Sequence, residues 1–279
     1  TFSTAPGNTV RYALEVAGPE MLEQERVAEA FRVYQALAGR PASPRVEQEI
    51  VRMQAGQQLF YGAWFGGAHD QDSDRYKIYA EIPKDTPLDN LLPALPKNMP
   101  LSHCGSYAVM FGFQPDSDVR EVYFRAAGLA WEDIGKLLWS NGLGHRYHDT
   151  RELMEATCDR PGFTTALEGF SLAFDANQRV IAISLFAQAT FLLGNDAHVR
   201  SHLLHMAHSR NWTLPLYEKA TALLHDREDL LRHQGVIAWI VSGHAPIELR
   251  IGLRPPEPPA VSQRLSFGGE EISLAADSR

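Results

Sequence analysis

Four side chains in one short stretch pose the chemical question. In RYKIYAEIP, residues 75–83, Arg75, Lys77, Tyr79 and Glu81 occupy every second position, and Tyr76, Ile78, Ala80 and Ile82 lie between them. A strand sends alternate side chains to opposite faces. Two cations, a phenol and a carboxylate therefore share one side, where they can hold a polar ligand. The same split recurs elsewhere. Arg11, Ala13 and Glu15 oppose Val10, Tyr12, Leu14 and Val16. Glu121, Tyr123 and Arg125 oppose Val122 and Phe124, and Glu248, Arg250 and Gly252 oppose Leu249, Ile251 and Leu253. A fourth stretch is weaker, with Ala182, Ser184 and Phe186 opposite Ile181, Ile183 and Leu185.

Other chemistry has less support. His198, His202 and His205 share a helical face, and two histidines at i and i+4 can bind zinc. No HExxH accompanies them, so we read them as surface or packing residues and expect no metal site. Asp70, Asp72 and Asp74 form a D-x-D-x-D turn that does not complete a calcium loop, and it reads as a solvated hairpin turn. No GxGxxG before a helix, P-loop, GxSxG or DDxxD occurs. Cys104 and Cys158 lie in no zinc or CxxC spacing and read as free thiols of a reducing compartment.

The 279 residues carry 34 acidic against 26 basic side chains, a formal charge of −8. Phosphate neutralisation needs a cationic face, so nucleic acid is not an expected partner. The most apolar run, residues 180–193, contains Ser184, Gln188 and Thr190 and is too short to span a membrane, which takes roughly 20 apolar residues. With no signal peptide in view, the expected location is cytoplasmic.

The elements that must position these residues repeat. Five hairpins are expected, in residues 1–16, 59–83, 104–128, 163–191 and 235–255, with turns at 6–8, 70–74, 114–118, 175–178 and 244–246. Helices are expected at 19–39, 44–57, 131–142, from Asp149 with Glu152 as a capping-box partner, at 196–209 and at 213–225. Residues 255–279 read as a loose tail of one domain covering 1–279. Amphipathic helices need an apolar surface to pack on. The apolar strand faces therefore point outward and the polar faces inward. Closing the sheet removes its edges. The expected fold is α+β: a ten-stranded antiparallel β-barrel, five ααββ-type repeats, ringed by α-helices around a polar chamber.

RYKIYAEIP, preceded by FGGAH and an acidic turn, together with VRYALEV and the five repeats, resembles the ABBA-fold aromatic prenyltransferases, nearest the indole, dimethylallyltryptophan synthase-like type. The resemblance implies transfer of an allylic isoprenoid from its diphosphate to an electron-rich aromatic small molecule in the barrel lumen, with no required cofactor and with Mg²⁺ admitted. By that resemblance Arg11, Arg75, Lys77, Arg125 and Arg250 bind diphosphate, and Tyr79 and Tyr123 shield the allylic cation. Glu121 stands where the family carries a lysine, and Ala182 and Ser184 replace a further cation and tyrosine. The family's first-strand glutamate falls on Thr1, so Glu15, Glu81 and Glu121 become the carboxylates considered for catalysis. Trp64, Tyr107, Phe170, Ser184 and Trp239 are expected in the substrate pocket, and His69 at a barrel mouth. The thinned cation set keeps an alternative open: the same barrel repurposed as a cyclase or small-molecule binder.

Overall fold

A computed structural model describes residues 1–5, 9–70, 72–84, 86, 106–126, 128–158, 167–224 and 233–255. Ten strands form one antiparallel sheet: β1 (Phe2–Ser3), β2 (Val10–Glu15), β3 (Ala63–His69), β4 (Asp74–Glu81), β5 (Tyr107–Gln114), β6 (Val119–Arg125), β7 (Leu167–Phe174), β8 (Val180–Gln188), β9 (Gln234–Ser242) and β10 (Glu248–Leu253). Each strand from β2 to β9 pairs with the next in sequence, β9 pairs β10, and β10 pairs β1. The end strands β1 and β2 meet at one residue pair: the Thr1 amino group donates to the Arg11 carbonyl at 2.5 Å and the Arg11 N–H donates to the Thr1 carbonyl at 3.3 Å. The sheet is thereby almost closed on itself, and the expected barrel is present.

Helices α1 (Arg26–Ala38), α2 (Pro44–Gln54), α3 (Trp131–Ser140), α4 (Tyr147–Cys158), α5 (Ala189–Leu193), α6 (Asp196–Ser209) and α7 (Pro215–Ala220) accompany it. Their buried residues follow the helical period. In α1 these include Val27, Ala30, Phe31 and Tyr34, and in α6 Val199, Leu203, Met206 and Ala207. They meet the apolar strand faces. Tyr34 of α1 sits edge-on to Tyr76 of β4, and the Trp239 Nε1–H of β9 donates to the Thr157 hydroxyl of α4 at 3.1 Å. The principal core thus lies between sheet and helices, outside the barrel, and Ile78, Phe124, Leu172, Leu185 and Leu249 are fully buried in it.

Several boundaries differ from the sequence reading. Helix α1 begins at Arg26 rather than near Pro19, because the Arg26 guanidinium donates to the carbonyls of Gly18, Met21 and Tyr61 and wraps the preceding chain around itself. It ends as expected, with Gly39 in the left-handed region. Helix α2 stops three residues earlier than expected. Helix α4 starts at Tyr147, two residues before Asp149, because a 3₁₀ turn at Gly144–Arg146 leads into it. The end of the fourth hairpin is helical as α5, and the helix expected over 213–225 is limited to α7 and a 3₁₀ turn. The turn at residues 6–8, Cys104 and the tail beyond residue 255 lie outside the described residues.

Phe124 of β6 stacks on Phe170 of β7 at 4.8 Å between ring centroids, in this outer core. Phe124→Ala is expected to destabilise the fold by about 3–5 kcal/mol. Denaturant unfolding checks this, and the variant should retain the wild-type polar chamber.

Candidate active site

The inner face of the barrel is read directly from the register. Arg75, Lys77, Tyr79 and Glu81 alternate with outward Tyr76, Ile78 and Ala80 on β4, and cross-strand partners share a face. Arg11, Ala13 and Glu15 pair with Ala68, Gly66 and Trp64. Glu121 and Tyr123 pair with Gly112 and Met110 on one side and with Ala173 and Ser171 on the other. Ser184 pairs with Ser171, and Glu248 and Arg250 pair with Ile240 and Ala238.

These side chains satisfy one another in two clusters. In the first, the Lys77 ammonium donates to Glu121 and, at 3.0 Å, to the Tyr123 hydroxyl, while Ser171 donates to the other Glu121 oxygen. Lys77 reaches β6 by crossing Gly112 of β5, where a Cβ would lie 2.5 Å from the Lys77 Cε. Tyr79 likewise lies over Gly66 of β3, where a Cβ would come within 2.8 Å of its ring. The absence of side chains at these two positions opens the floor of the lumen. The Lys77 Nζ stands 5.2 Å from the centroids of both Tyr79 and Tyr123, whose rings are 6.0 Å apart.

The second cluster centres on Glu248. It accepts from Arg250 at 2.7 and 3.0 Å, from Arg11 at 3.1 Å and from the Ser3 hydroxyl at 2.5 Å. Burial alone would raise its pKa, but the hydrogen bond and charge of Arg250, the Ser3 hydroxyl and the Arg11 charge hold it at about 2. Glu121 is governed likewise: burial is opposed by the Lys77 charge and hydrogen bond, then by Ser171 and Tyr123, and its pKa falls below the ordinary carboxylate value. Burial, followed by the Glu121 charge, pushes the Tyr123 phenol well above its usual range. Burial opposes the charge of Arg250, the Glu248 hydrogen bond and charge outweigh it, and the Glu121 charge adds to them, which ties the two clusters together. Arg11, Lys77 and Arg250 with Glu121 and Glu248 thus form a layer with one net positive charge.

Beyond Tyr79, towards the end of the barrel that bears the helical connections, the lumen opens into a cavity of about 1260 Å³. Phe60, Tyr61, Trp64, Tyr79, Tyr107 and Met110 supply its aromatic and apolar wall, and among the described residues Glu81, Lys84 and Arg125 are its charged members. Glu81 does not offer a free carboxylate. It accepts from the backbone N–H groups of Phe60, Tyr61 and Gly62 at 2.7–3.0 Å, and fixes the segment that carries Phe60 and Tyr61. Gln54 of α2 adds bonds to the Gly62 and Glu81 carbonyls, both at 2.8 Å.

The structure therefore brings together Arg11, Lys77, Tyr79, Glu121, Tyr123 and Arg250, with Ser184 beside Ser171, and places Trp64 and Tyr107 at the cavity wall. It does not bring the others to the same place. Phe170 and Trp239 point outward into the sheet–helix core. Arg75 is tied to Asp70 of the hairpin turn at 2.9 Å. Glu15 is half exposed, and its nearest charge is Arg26 at 3.9 Å. Arg125 lines the aromatic cavity, away from the cationic layer. His69 is on the outer face, stacked on Tyr12 and hydrogen-bonded to Asp74 at 2.7 Å. Residues not singled out from sequence include Glu248, Ser3, Ser171, Phe60 and Tyr61. Glu248 is readable as an inward strand residue, whereas the sequence pattern puts Phe60 and Tyr61 at the start of a strand. Among the described residues no group of three or more His, Cys, Asp or Glu side chains clusters as a metal site, and no helix is long and apolar enough to cross a membrane.

No protein-family model and no curated protein matches the sequence. Solved structures do match in fold. The 5-dimethylallyl tryptophan synthase from Streptomyces coelicolor in complex with DMASPP and Trp superposes with a TM-score of 0.70 at 14% identity, over 94% of this chain and 82% of that one. AnaPT from Neosartorya fischeri gives 0.66 at 13% identity, over 91% and 77%. The apo form of the prenyltransferase PriB gives 0.70 at 14% identity, over 91% and 80%. The chain has the ABBA barrel fold.

Because the folded pKa of Glu248 lies below its ordinary 4.5, its stabilising effect is complete above that value and is lost as pH falls towards about 2. Replacing Glu248 by Gln should flatten this part of the stability profile, as measured by urea midpoints at about pH 5 and about pH 3. Equal slopes in wild type and variant would remove Glu248 from the account.

Proposed function

We propose that the chain is an aromatic prenyltransferase, moving an allylic isoprenoid from its diphosphate to an electron-rich aromatic small molecule inside the barrel. One observation carries the reading: a cationic layer, a pair of phenols and an aromatic cavity succeed one another along a single lumen. The solved structures of the same fold are prenyltransferases, one of them in complex with DMASPP and Trp, which supports it.

The order of the layers matches the order of events. Arg11, Lys77 and Arg250 stabilise the diphosphate as the allylic C–O bond breaks and its electron pair stays on oxygen. Tyr79 and Tyr123 face the carbocation, and each ring contributes about 0.5–2 kcal/mol by cation–π attraction. The acceptor ring, held in the cavity, attacks the allylic carbon and loses a proton. The carboxylates Glu81 and Glu121 are both engaged by protein donors, so the departing diphosphate is the base at hand. No resident cofactor is needed for this sequence. We read the whole chain as one barrel domain, with neither nucleic acid nor membrane as partner. A cytoplasmic setting is part of the reading, supported by the free, buried Cys158.

A second reading has an observation of its own. Glu121 and Glu248 already neutralise much of the cationic layer, which favours a barrel that binds or cyclises an aromatic molecule without any diphosphate. Dimethylallyl and geranyl diphosphates, each with and without Mg²⁺, separate the two readings through binding and diphosphate release. Affinity and aromatic-dependent release are expected. No affinity for either donor would replace the first reading by the second.

Two substitutions sharpen the test. Lys77→Ala should abolish most diphosphate binding per folded molecule, and because it strands the buried Glu121 carboxylate it should also cost about 3–5 kcal/mol of stability. A collapse in melting temperature with unchanged turnover per folded molecule would make Lys77 structural. Glu121→Gln releases Lys77 from its internal partner and should tighten diphosphate binding by about tenfold, the equivalent of about 1.4 kcal/mol. Weaker binding by a folded Glu121→Gln protein would show that the carboxylate helps to hold the donor.

A further inference from the structure

The deep layer holds more carboxylate than a loaded diphosphate site can keep ionised. Arg11, Lys77 and Arg250 face Glu121 and Glu248, which leaves one net positive charge among the described residues. Residues 6–8 and 71, next in the chain to these strands and outside the described residues, are uncharged. An allylic diphosphate brings about two to three negative charges, and a buried charge without its partner is costly. With both carboxylates ionised, the loaded layer would be net negative.

The two carboxylates are not held alike. Glu248 accepts from two guanidiniums and the Ser3 hydroxyl. Arg250 uses its Nε and Nη2 and Arg11 its Nη1, so each guanidinium keeps N–H groups for an incoming oxygen without leaving Glu248. Glu121 has one bonded cation, the Lys77 ammonium, which sits on a flexible stem, and otherwise the hydroxyls of Ser171 and Tyr123. An ammonium that turns to a phosphate oxygen leaves Glu121 with hydroxyls alone. Nothing else around it supplies a spare cation. Tyr79 of β4 and Tyr123 of its own strand are phenols, and its partners Gly112 of β5 and Ala173 of β7 are uncharged. Arg250 and Arg11 are bonded to Glu248, and Arg75 to Asp70.

We propose that Glu121 takes up a proton when the diphosphate binds, and that in its neutral form it donates to the phosphate beside the Lys77 ammonium. The proton comes from water and adds to the Glu121 oxygen that Lys77 vacates. Lys77 keeps its own protons, so the layer gains one positive charge. Burial, the largest influence on Glu121, already favours the neutral form, and the Lys77 charge and hydrogen bond are the first influences against it. When the diphosphate leaves, Lys77 returns and the proton goes back to water.

The inference rests on the barrel binding a diphosphate as the proposed transferase does, and its test counts protons rather than turnover. Binding of dimethylallyl thiolodiphosphate, an analogue of the donor, to the full chain is followed by calorimetry at about pH 8 in buffers of different ionisation enthalpy. Wild type should take up about one proton per molecule bound, and Glu121→Gln close to none. Glu248→Gln should keep the wild-type count. The affinity advantage of Glu121→Gln over wild type should vanish at about pH 6 and widen about tenfold for each pH unit above it. Infrared difference spectra of wild type and of Glu248→Gln, with and without the analogue, keep the test independent of how Glu121→Gln folds: a carboxylic-acid band should appear as a carboxylate band is lost. Binding without proton uptake, or with uptake that persists in Glu121→Gln, overturns the inference and leaves the transferase reading standing. No binding of the analogue at any pH overturns both.

Discussion

A charged side chain turned into an enclosed space must find its counter-charge there, because transfer out of water without a partner costs far more than a fold can spare. That constraint organises the barrel. Helices cover the outside, so the apolar strand faces turn outward and the polar faces have nowhere to go but the lumen. Lys77 then crosses Gly112 to reach Glu121, and Arg11 and Arg250 converge on Glu248. The layer is held rigid by its own charges. An anion that enters does not meet bare cations; it competes with two carboxylates already in place.

The repeat and the direction of the strand faces were legible in the sequence because both follow from local periodicity. The turns at 70–74, 114–118, 175–178 and 244–246 broke the chain where expected, whereas β1 and β2 of the first expected hairpin pair with β10 and β3 instead of with each other; Arg11, Lys77, Tyr79, Glu121, Tyr123 and Arg250 reached the lumen as the alternation implied. What local pattern could not supply was tertiary. Arg26 gathers three carbonyls from two separate segments, and only those contacts explain why α1 starts so late. Trp239 lies two residues from both Ile237 and Val241 and therefore shares their outward face; the aromatic type suggested a pocket, while the parity of the strand placed it in the core.

Glu81 shows the same limit within the site. Its parity was correct, since it lies on the inward side of β4. Its role depended on three amides delivered by a segment some twenty residues earlier, for which no spacing rule exists. A carboxylate so surrounded acts as a strut for Phe60 and Tyr61. Arg125 is the converse case. It shares a strand and a face with Tyr123, which made it look like a member of the anion layer, but two residues along a strand amount to roughly 7 Å. That distance is enough to move it from the cationic layer to the aromatic mouth.

For the proposed prenyl transfer, the separation of these levels has a chemical consequence. Heterolysis creates an anion and a cation that must not recombine or meet water. The lumen answers with depth: paired cations deepest, phenols above them, aromatic surface at the entrance. Because the deep layer carries little net charge of its own, the charge a ligand brings decides how that layer rearranges.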